Sequence, residues 1–302
     1  MVVYDKQFQN ISEMEHFILE RENIYRAQVE AIAKLIAQND KIKIITLCGP
    51  SCAGKTTSSY ILEKTLEAIS GIDLKIISID DFFKNRDEVE KQQNPDYETI
   101  ESIDFDYFKI CVDNILEGKE TKLPSFDFVT GNRREEYETY IPHKKGIVVF
   151  EGIQAMYPEI TAIFPKESAV SIYIDILEDV YAYGTLFTRR DVRFFRRLVR
   201  DFQFRDASVE KTLSLWENVV NNEQENIYPY SFGANYTINS SLLYELNVIK
   251  DYLLNMLEFN EYTKEIKKQI EEKFKNIPDI SSDLVPKDSV FREFIGKNMR
   301  WK

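Results

Sequence analysis

Cysteine and histidine are scarce in this chain, which has three cysteines (Cys48, Cys52, Cys111) and two histidines (His16, His143) in 302 residues. Three cysteines cannot build a disulfide framework, and two distant histidines leave no zinc-ligand cluster, so a reducing cytoplasm is the expected setting. Glycine (10) and proline (9) are sparse as well, which argues against a collagenous, loop-rich or low-complexity chain. No apolar run approaches the roughly 20 residues a membrane span needs, and the start, MVVYDKQFQN, lacks a basic flank followed by an apolar core. The expectation is a soluble, unexported protein without a membrane partner. Basic residues are outnumbered, 39 against 51 for a net charge of −12, so no nucleic-acid partner is expected. What is abundant is apolar surface: 43% hydrophobic residues, with 20 Phe and 17 Tyr, enough to bury a sizeable core in one large or two ordinary domains.

Apolar residues at helical spacing from Ile11 to Gln38, among them Ile24, Val29, Ile32, Leu35 and Ile36, predict one or two helices. Lys41 to Cys48 (KIKIITLC) reads as a strand halted at Gly49-Pro50, and a helix from Lys55 to about Ser70 follows. Leu74–Asp80, Gly146–Glu151 and Ser171–Ile176 repeat the pattern of short apolar strands, with a weaker strand at Asn235–Asn239 and helices at Leu242–Phe259 and Glu261–Phe274. Strands alternating with helices predict an α/β fold, a parallel sheet covered on both faces. The division expected is an N-terminal helical segment (1–40), a core (41–258) with an arginine-rich stretch near 188–207, and a C-terminal helix and tail (259–302) that either docks or stays loose.

Gly49-Pro50-Ser51-Cys52-Ala53-Gly54-Lys55-Thr56 fits G-x-x-x-x-G-K-[ST] between a predicted strand and a predicted helix, the context a phosphate-binding loop requires. Glycines at both ends open backbone conformations closed to other residues, so successive N–H groups, continuing to Thr57, can converge on phosphate oxygens at a helix N-terminus. Lys55 would neutralise β/γ-phosphate oxygens, and the Thr56 hydroxyl is placed to hold Mg²⁺. Cys52 reads as a small residue tolerated in a tight loop rather than as a redox switch.

Asp80-Asp81-Phe82-Phe83 closes the second strand at the sheet edge where α/β folds bind ligands. Consecutive strand-end residues point to opposite sides, so one aspartate is expected to face the phosphates and accept a proton from an acceptor hydroxyl, the other to face solvent. Glu151 closes GIVVFE in the same way and would sit near the metal. Seven arginines fall between Arg189 and Arg205. Arg189, Arg193, Arg196, Arg197 and Arg200 form one stripe of a helix, with Val192, Phe195, Val199 and Phe202 opposite, so the helix is expected to pack one side and present the other. The stripe alone leaves three readings open: an anion-binding lid, an RNA or membrane surface, and a solvated face paired to acids.

GPSCAGKTT, ISIDDFF, NPDYETIESIDFDYF, LPSFDFVTGNRR, VVFEGIQAMYP and RRLVRDFQFR, in that order, resemble the uridine kinase and phosphoribulokinase family of P-loop kinases. The helix ahead of the loop, NSSLLYELNVIKDY and VPKDSVFREFIG resemble bacterial uridine-kinase-like nucleoside kinases, here of the kind without an extra N-terminal domain. The resemblance implies a P-loop nucleoside triphosphate hydrolase fold with a five-stranded parallel sheet, helices on both faces and a helical lid. It implies Asp80 as catalytic base and metal neighbour, Thr56 and Glu151 on Mg²⁺, Glu98 on the ribose hydroxyls, and Phe83, Phe126 and Phe128 around the nucleoside. Lid arginines Arg197 and Arg200 would stabilise the transferring phosphoryl group, with Arg205 on ATP. Gly131 stands where uridine kinases place a base-reading histidine, so Asn132 or Arg133 is the candidate for that contact, and Ala207 replaces a second lid arginine. The expected activity is Mg²⁺-dependent transfer of the ATP γ-phosphoryl group to the 5′-hydroxyl of a nucleoside, uridine or cytidine, in pyrimidine salvage, with room for a homo-oligomer. The alternatives are a kinase of another small hydroxyl compound (a purine nucleoside, a sugar phosphate, pantothenate) and a regulatory ATP-binding protein that transfers nothing.

Overall fold

The computed structural model describes residues 1–92, 97–257 and 263–296. The Asn94-Pro95-Asp96 part of the NPDY motif, the junction expected between helices near residues 258–262, and the terminal KNMRWK from Lys297 lie outside the described residues. Five strands form one sheet in the spatial order Tyr236–Asn239, Ala169–Asp175, Ile44–Cys48, Ile147–Glu151, Leu74–Ser78, and every pairing in it is parallel. Ile44–Cys48 is central and buried throughout, as a strand covered on both faces must be. Alternate residues serve opposite layers: Ile45 and Leu47 join one core cluster, Ile44 and Cys48 the other. Ile11–Ala37 and Lys55–Ser70 pack on each other on the first face, and Phe105–Leu116 buries Phe108, Cys111, Val112 and Ile115 in the second cluster. The first strand's two neighbours come from later in the chain and lie on opposite sides of it, which makes the end of Ile44–Cys48 a topological switch point where ligands bind.

Several local expectations need correction. Residues 11–37 form one helix, capped by Asn10, whose side chain accepts the Glu13 amide at 3.0 Å. The strand read as Leu74–Asp80 ends at Ser78, and Ile79–Phe82 is a 3₁₀ turn, so Asp80 leaves the sheet on a turn. The helix read from Leu242 begins at Glu245, because Leu242's amide is taken by the Glu245 carboxylate at 3.1 Å, a local cap. Three small sheets escaped the reading: Val2–Tyr4 with Val180–Ala182 and Thr185–Phe187, Thr121–Leu123 with Glu138–Tyr140, and Phe126–Asp127 with Asn132–Arg133. Strands of two or three residues carry too little alternation to be read. The tail docks: Ile280, Val285, Val290, Phe291 and Phe294 are buried in the first core cluster, and Arg292 ties it together by donating to the Ser282 carbonyl at 2.7 Å and the Val285 carbonyl at 2.5 Å.

Candidate active site

The phosphate loop owes its path to two close approaches. A Cβ on Gly49 would overlap the Ile174 carbonyl of the adjoining strand. Gly54 has φ +93° and would meet Val290 at 2.6 Å, so conformation and space both require glycine there. Between them Cys52 takes φ +62°, an uncommon conformation for a residue with a side chain, and it is buried at 3% exposure. The helix that follows starts at Lys55 without a side-chain cap from Gly54, which leaves its first amides to other partners. The Lys55 ammonium folds back over the loop and donates to the carbonyls of Gly49 at 2.8 Å and Pro50 at 3.2 Å. Cys48, just before the loop, is an unreactive thiol, pushed up to about 12 chiefly by burial.

Sheet register gathers the acids at this edge. Glu151 pairs across from Leu47 on one side and Ser78 on the other, so it sits between the root of the loop and the root of the Asp80 turn. Asp80 has its carboxyl pushed up to about 6, first by burial and then by Asp81, while Lys55 and Arg205 pull it back. It therefore shares a field with the loop lysine. Asp81 departs from expectation: instead of facing solvent, its carboxylate accepts the Phe126 amide at 3.0 Å, which anchors the short strand beyond it. Thr56, Glu151 and Asp80 supply hard oxygen donors of the kind Mg²⁺ takes alongside nucleotide phosphates, so the residues present fit that ion. Among the described residues no group of three His, Cys, Asp or Glu side chains forms a self-sufficient metal site.

On the acceptor side, Phe83 and Phe126 are buried, with ring centroids 5.5 Å apart and nearly perpendicular. Tyr97 packs edge-on against Phe83 at 5.2 Å, and Phe128 extends from Phe126 into solvent, 65% exposed. Glu98 accepts from the Asn222 amide at 2.7 Å. Arg133 is committed to structure: it donates to Asp104 at 3.0 Å and to the carbonyls of Phe82 and Phe83 at 3.1 and 3.2 Å, and so fixes the turn that carries Asp80. The Asn132 amide side chain turns back to the Thr130 carbonyl at 3.2 Å. A side chain at Gly131 (φ +70°) would run into the Arg86 guanidinium, whose Nε lies 2.5 Å from the Cβ position.

The arginine helix, Arg189–Phe204, is capped by Thr188, whose side chain accepts the Asp191 amide at 3.1 Å. Beyond Arg189, which is exposed, its basic stripe is not presented to solvent, and this corrects the expectation that the arginine side faces outward. Arg193 and Arg196 are fully buried and Arg197 is 9% exposed, whereas Phe202 on the expected packed face is 48% exposed. Burial is sustained by pairing. Arg193 grips Glu223 with both terminal nitrogens at 2.5 and 2.7 Å, meets Asp175 at 3.2 Å and donates to the Tyr228 hydroxyl at 3.0 Å. Arg196 grips Glu245 at 2.6 and 3.0 Å. Both also reach the phosphate loop, Arg193 at the Ser51 carbonyl (3.3 Å) and Arg196 at the Cys52 carbonyl (3.2 Å). Pulling carbonyls to the lid side turns the adjoining amides the other way. Arg197 donates to the Ser51 hydroxyl at 2.9 Å, and Arg197, Arg200 and Arg205 share one carboxylate, Asp201. Arg205 is held below the usual arginine range, first by the positive charge of Arg200 and then by burial. Such crowding of guanidinium groups against a phosphate loop is what an anion relieves.

Reading the sequence missed Asp175, Glu223, Tyr228, Glu245 and Tyr97. Glu223 and Glu245 lie 30 and 49 residues from the arginines they hold, and no local pattern announces such a pair.

A parallel sheet with a glycine-bounded loop at its switch point and an arginine-rich helix packed against that loop is the P-loop kinase fold. The phosphoribulokinase / uridine kinase family model matches residues 44–241, and the chain belongs to that family. It is 30% identical over 234 residues to the uridine kinase of Chlamydia pneumoniae, covering 72% of this chain and 93% of that protein. It is 26% identical over 172 residues to the Deinococcus deserti uridine kinase, covering 56% and 73%. With the Schizosaccharomyces pombe uridine kinase it shares 27% identity over 191 residues, and the match spans 62% of this chain but only 37% of that protein. A solved structure described as a possible uridine kinase from Bacillus stearothermophilus aligns with a TM-score of 0.42 and 20% identity over 49% of this chain and 79% of that chain, a distant likeness.

Proposed function

We propose that the protein is an ATP-dependent nucleoside kinase that transfers the γ-phosphoryl group to the 5′-hydroxyl of a nucleoside, uridine or cytidine first, with Mg²⁺. The observation that carries this reading is Asp80, raised to about 6 on a turn held by Arg133 and sharing a field with Lys55. A base poised near neutrality opposite a phosphate-neutralising lysine suits proton removal from an acceptor alcohol. In this reading loop amides and Lys55 hold the nucleotide, Thr56 and Glu151 hold the metal, which supplies charge neutralisation on the phosphates, and Arg197, Arg200 and Arg205 close on the transferring group. Glu98 takes the ribose hydroxyls, and Phe83, Phe126 and Phe128 bound the base. The uridine kinase names of the relatives support the acceptor class. A cytoplasmic place of action belongs to the same reading and is supported by three free, buried cysteines. Among the described residues no helix is long and apolar enough to cross a membrane. The test is ADP release with ATP and Mg²⁺ against uridine, cytidine, purine nucleosides, ribulose 5-phosphate, pantothenate and no acceptor. Turnover with a nucleoside well above the acceptor-free rate is expected; ADP release indifferent to every acceptor sinks the reading.

A further inference from the structure

The C-terminal segment reaches the phosphate loop, and the contact it makes there is electrostatic. A Glu293 carboxylate oxygen accepts the Thr57 N–H at 3.0 Å. Thr57 is the third residue of the helix Lys55–Ser70, inside the first turn, where amides lack intrahelical partners and the helix dipole favours negative charge. One turn earlier in the segment, Val290 packs on Gly54. Arg200 is also in the field of this carboxylate: burial pulls it down, yet Cys52, Asp201 and then Glu293 hold it above the usual range. The segment is fixed from behind by the N-terminal helix. Asp288 meets Arg26 at 2.9 Å, and Ser289 lies 3.2 Å from the Tyr244 hydroxyl, which in turn donates to buried Glu22 at 2.5 Å.

We propose that Glu293 is an internal anion of the nucleotide site: it holds the Thr57 amide while the loop is empty of nucleotide and yields it to a phosphate oxygen when ATP binds. The inference rests on the reading of this loop as an ATP site. One N–H cannot serve a carboxylate and a phosphate together, and two anions at one helix terminus repel. The apparent affinity for nucleotide is therefore the intrinsic affinity reduced by the fraction of chains in which Glu293 holds the amide. The segment thus sets how much ATP the loop needs, and anything that lifts the segment away raises affinity without touching the loop.

Glu293→Gln tests this, because the amide keeps the shape and a weaker hydrogen bond but removes the charge. Calorimetric titration of the full chain with ATP and with ADP, at fixed Mg²⁺, is expected to show binding tighter than wild type by roughly fivefold. A purely structural cap predicts the opposite, since loosening the loop weakens binding. Unchanged or weaker binding by Glu293→Gln overturns the proposal. Hydrogen exchange of the wild-type chain gives a second readout that depends on no variant folding. On adding ATP, the amides of residues 289–295 are expected to exchange faster while those of the loop slow; protection rising in both segments overturns the proposal. Lys55→Ala separates the two levels of inference. Wild type that binds ATP through Lys55 while Glu293→Gln binds no tighter ends this proposal alone, and a wild-type chain that binds no ATP ends the nucleotide reading and this proposal with it.

Discussion

Asp80 and Lys55 sit within each other's field, yet they are expected to fail differently when removed. In the proposed reading Lys55→Ala takes away a phosphate contact, so ATP affinity and turnover both fall, and Asp80→Asn takes away the acceptor's base, so turnover falls by about two to four orders of magnitude with ATP affinity nearly kept. Isothermal titration beside steady-state kinetics checks this, and equal loss of ATP affinity in both variants ends the assignment of Asp80. The raised carboxyl of Asp80 also has a consequence for stability. A group whose folded value, about 6, lies above its unfolded value binds more protons when folded, so its contribution is favourable at low pH and is lost as pH rises from about 4 through 6. Asp80→Asn should then be more stable than wild type at pH 7 by on the order of 1–2 kcal/mol, allowing for screening by solvent. The difference should vanish near pH 4. Denaturant unfolding at the two pH values measures it, and a variant less stable at pH 7 contradicts the burial argument. These residues were legible in the sequence because their chemistry is local: a glycine-framed loop and two acids closing apolar runs identify themselves within ten residues.

The arginine helix separates into two kinds of residue that share one stripe. Arg193 and Arg196 are buried ion-pair partners that also hold loop carbonyls; truncating Arg196 leaves Glu245 charged and buried, which costs about 3–5 kcal/mol. Arg197 and Arg200 are expected to act on the phosphoryl group. Their carboxylate, Asp201, keeps other arginine partners when either is removed. Arg197→Ala and Arg200→Ala should therefore lower turnover by two or more orders of magnitude with thermal stability little changed, whereas Arg196→Ala should lose stability first. Melting curves together with kinetics distinguish the sets, and wild-type turnover in both Arg197→Ala and Arg200→Ala rules out a lid. Spacing alone placed all five arginines on one face correctly but could not say which were buried, since burial depends on acids from two later helical segments. The same limit hid the π-helical turn Glu223–Ile227, which brings Glu223 and Tyr228 onto Arg193 together.

For the whole molecule, the parallel sheet was legible from the alternation of elements but its strand order was not, and the hairpins beyond Asp81 were too short to register. Those hairpins bear on selectivity. Arg133 and Asn132 spend their donors on backbone and Asp104, and Gly131 offers no side chain, so a nucleoside bound as proposed would meet aromatic faces more than hydrogen-bonding groups. Pockets of that kind discriminate by one or two orders of magnitude, whereas a site that pairs with the base edge reaches several. Loose selectivity is expected: kcat/KM for cytidine and for purine nucleosides within about a hundredfold of that for uridine. Rejection of all but one pyrimidine by several orders of magnitude would falsify this. The topology also sets an order of events in time. The central strand Ile44–Cys48 emerges first of the five, but both its neighbours, Ile147–Glu151 and Ala169–Asp175, arrive much later, and such distant pairings slow folding. The loop beyond it is braced later still, by Arg193 and Arg196, whose acid partners Glu223 and Glu245 follow them in the chain. A ribosome that has made the phosphate-loop sequence has thus not yet made a nucleotide site. That site waits for the chain to reach Glu245, and chains stalled short of that residue should be unable to shelter under ATP from proteolysis.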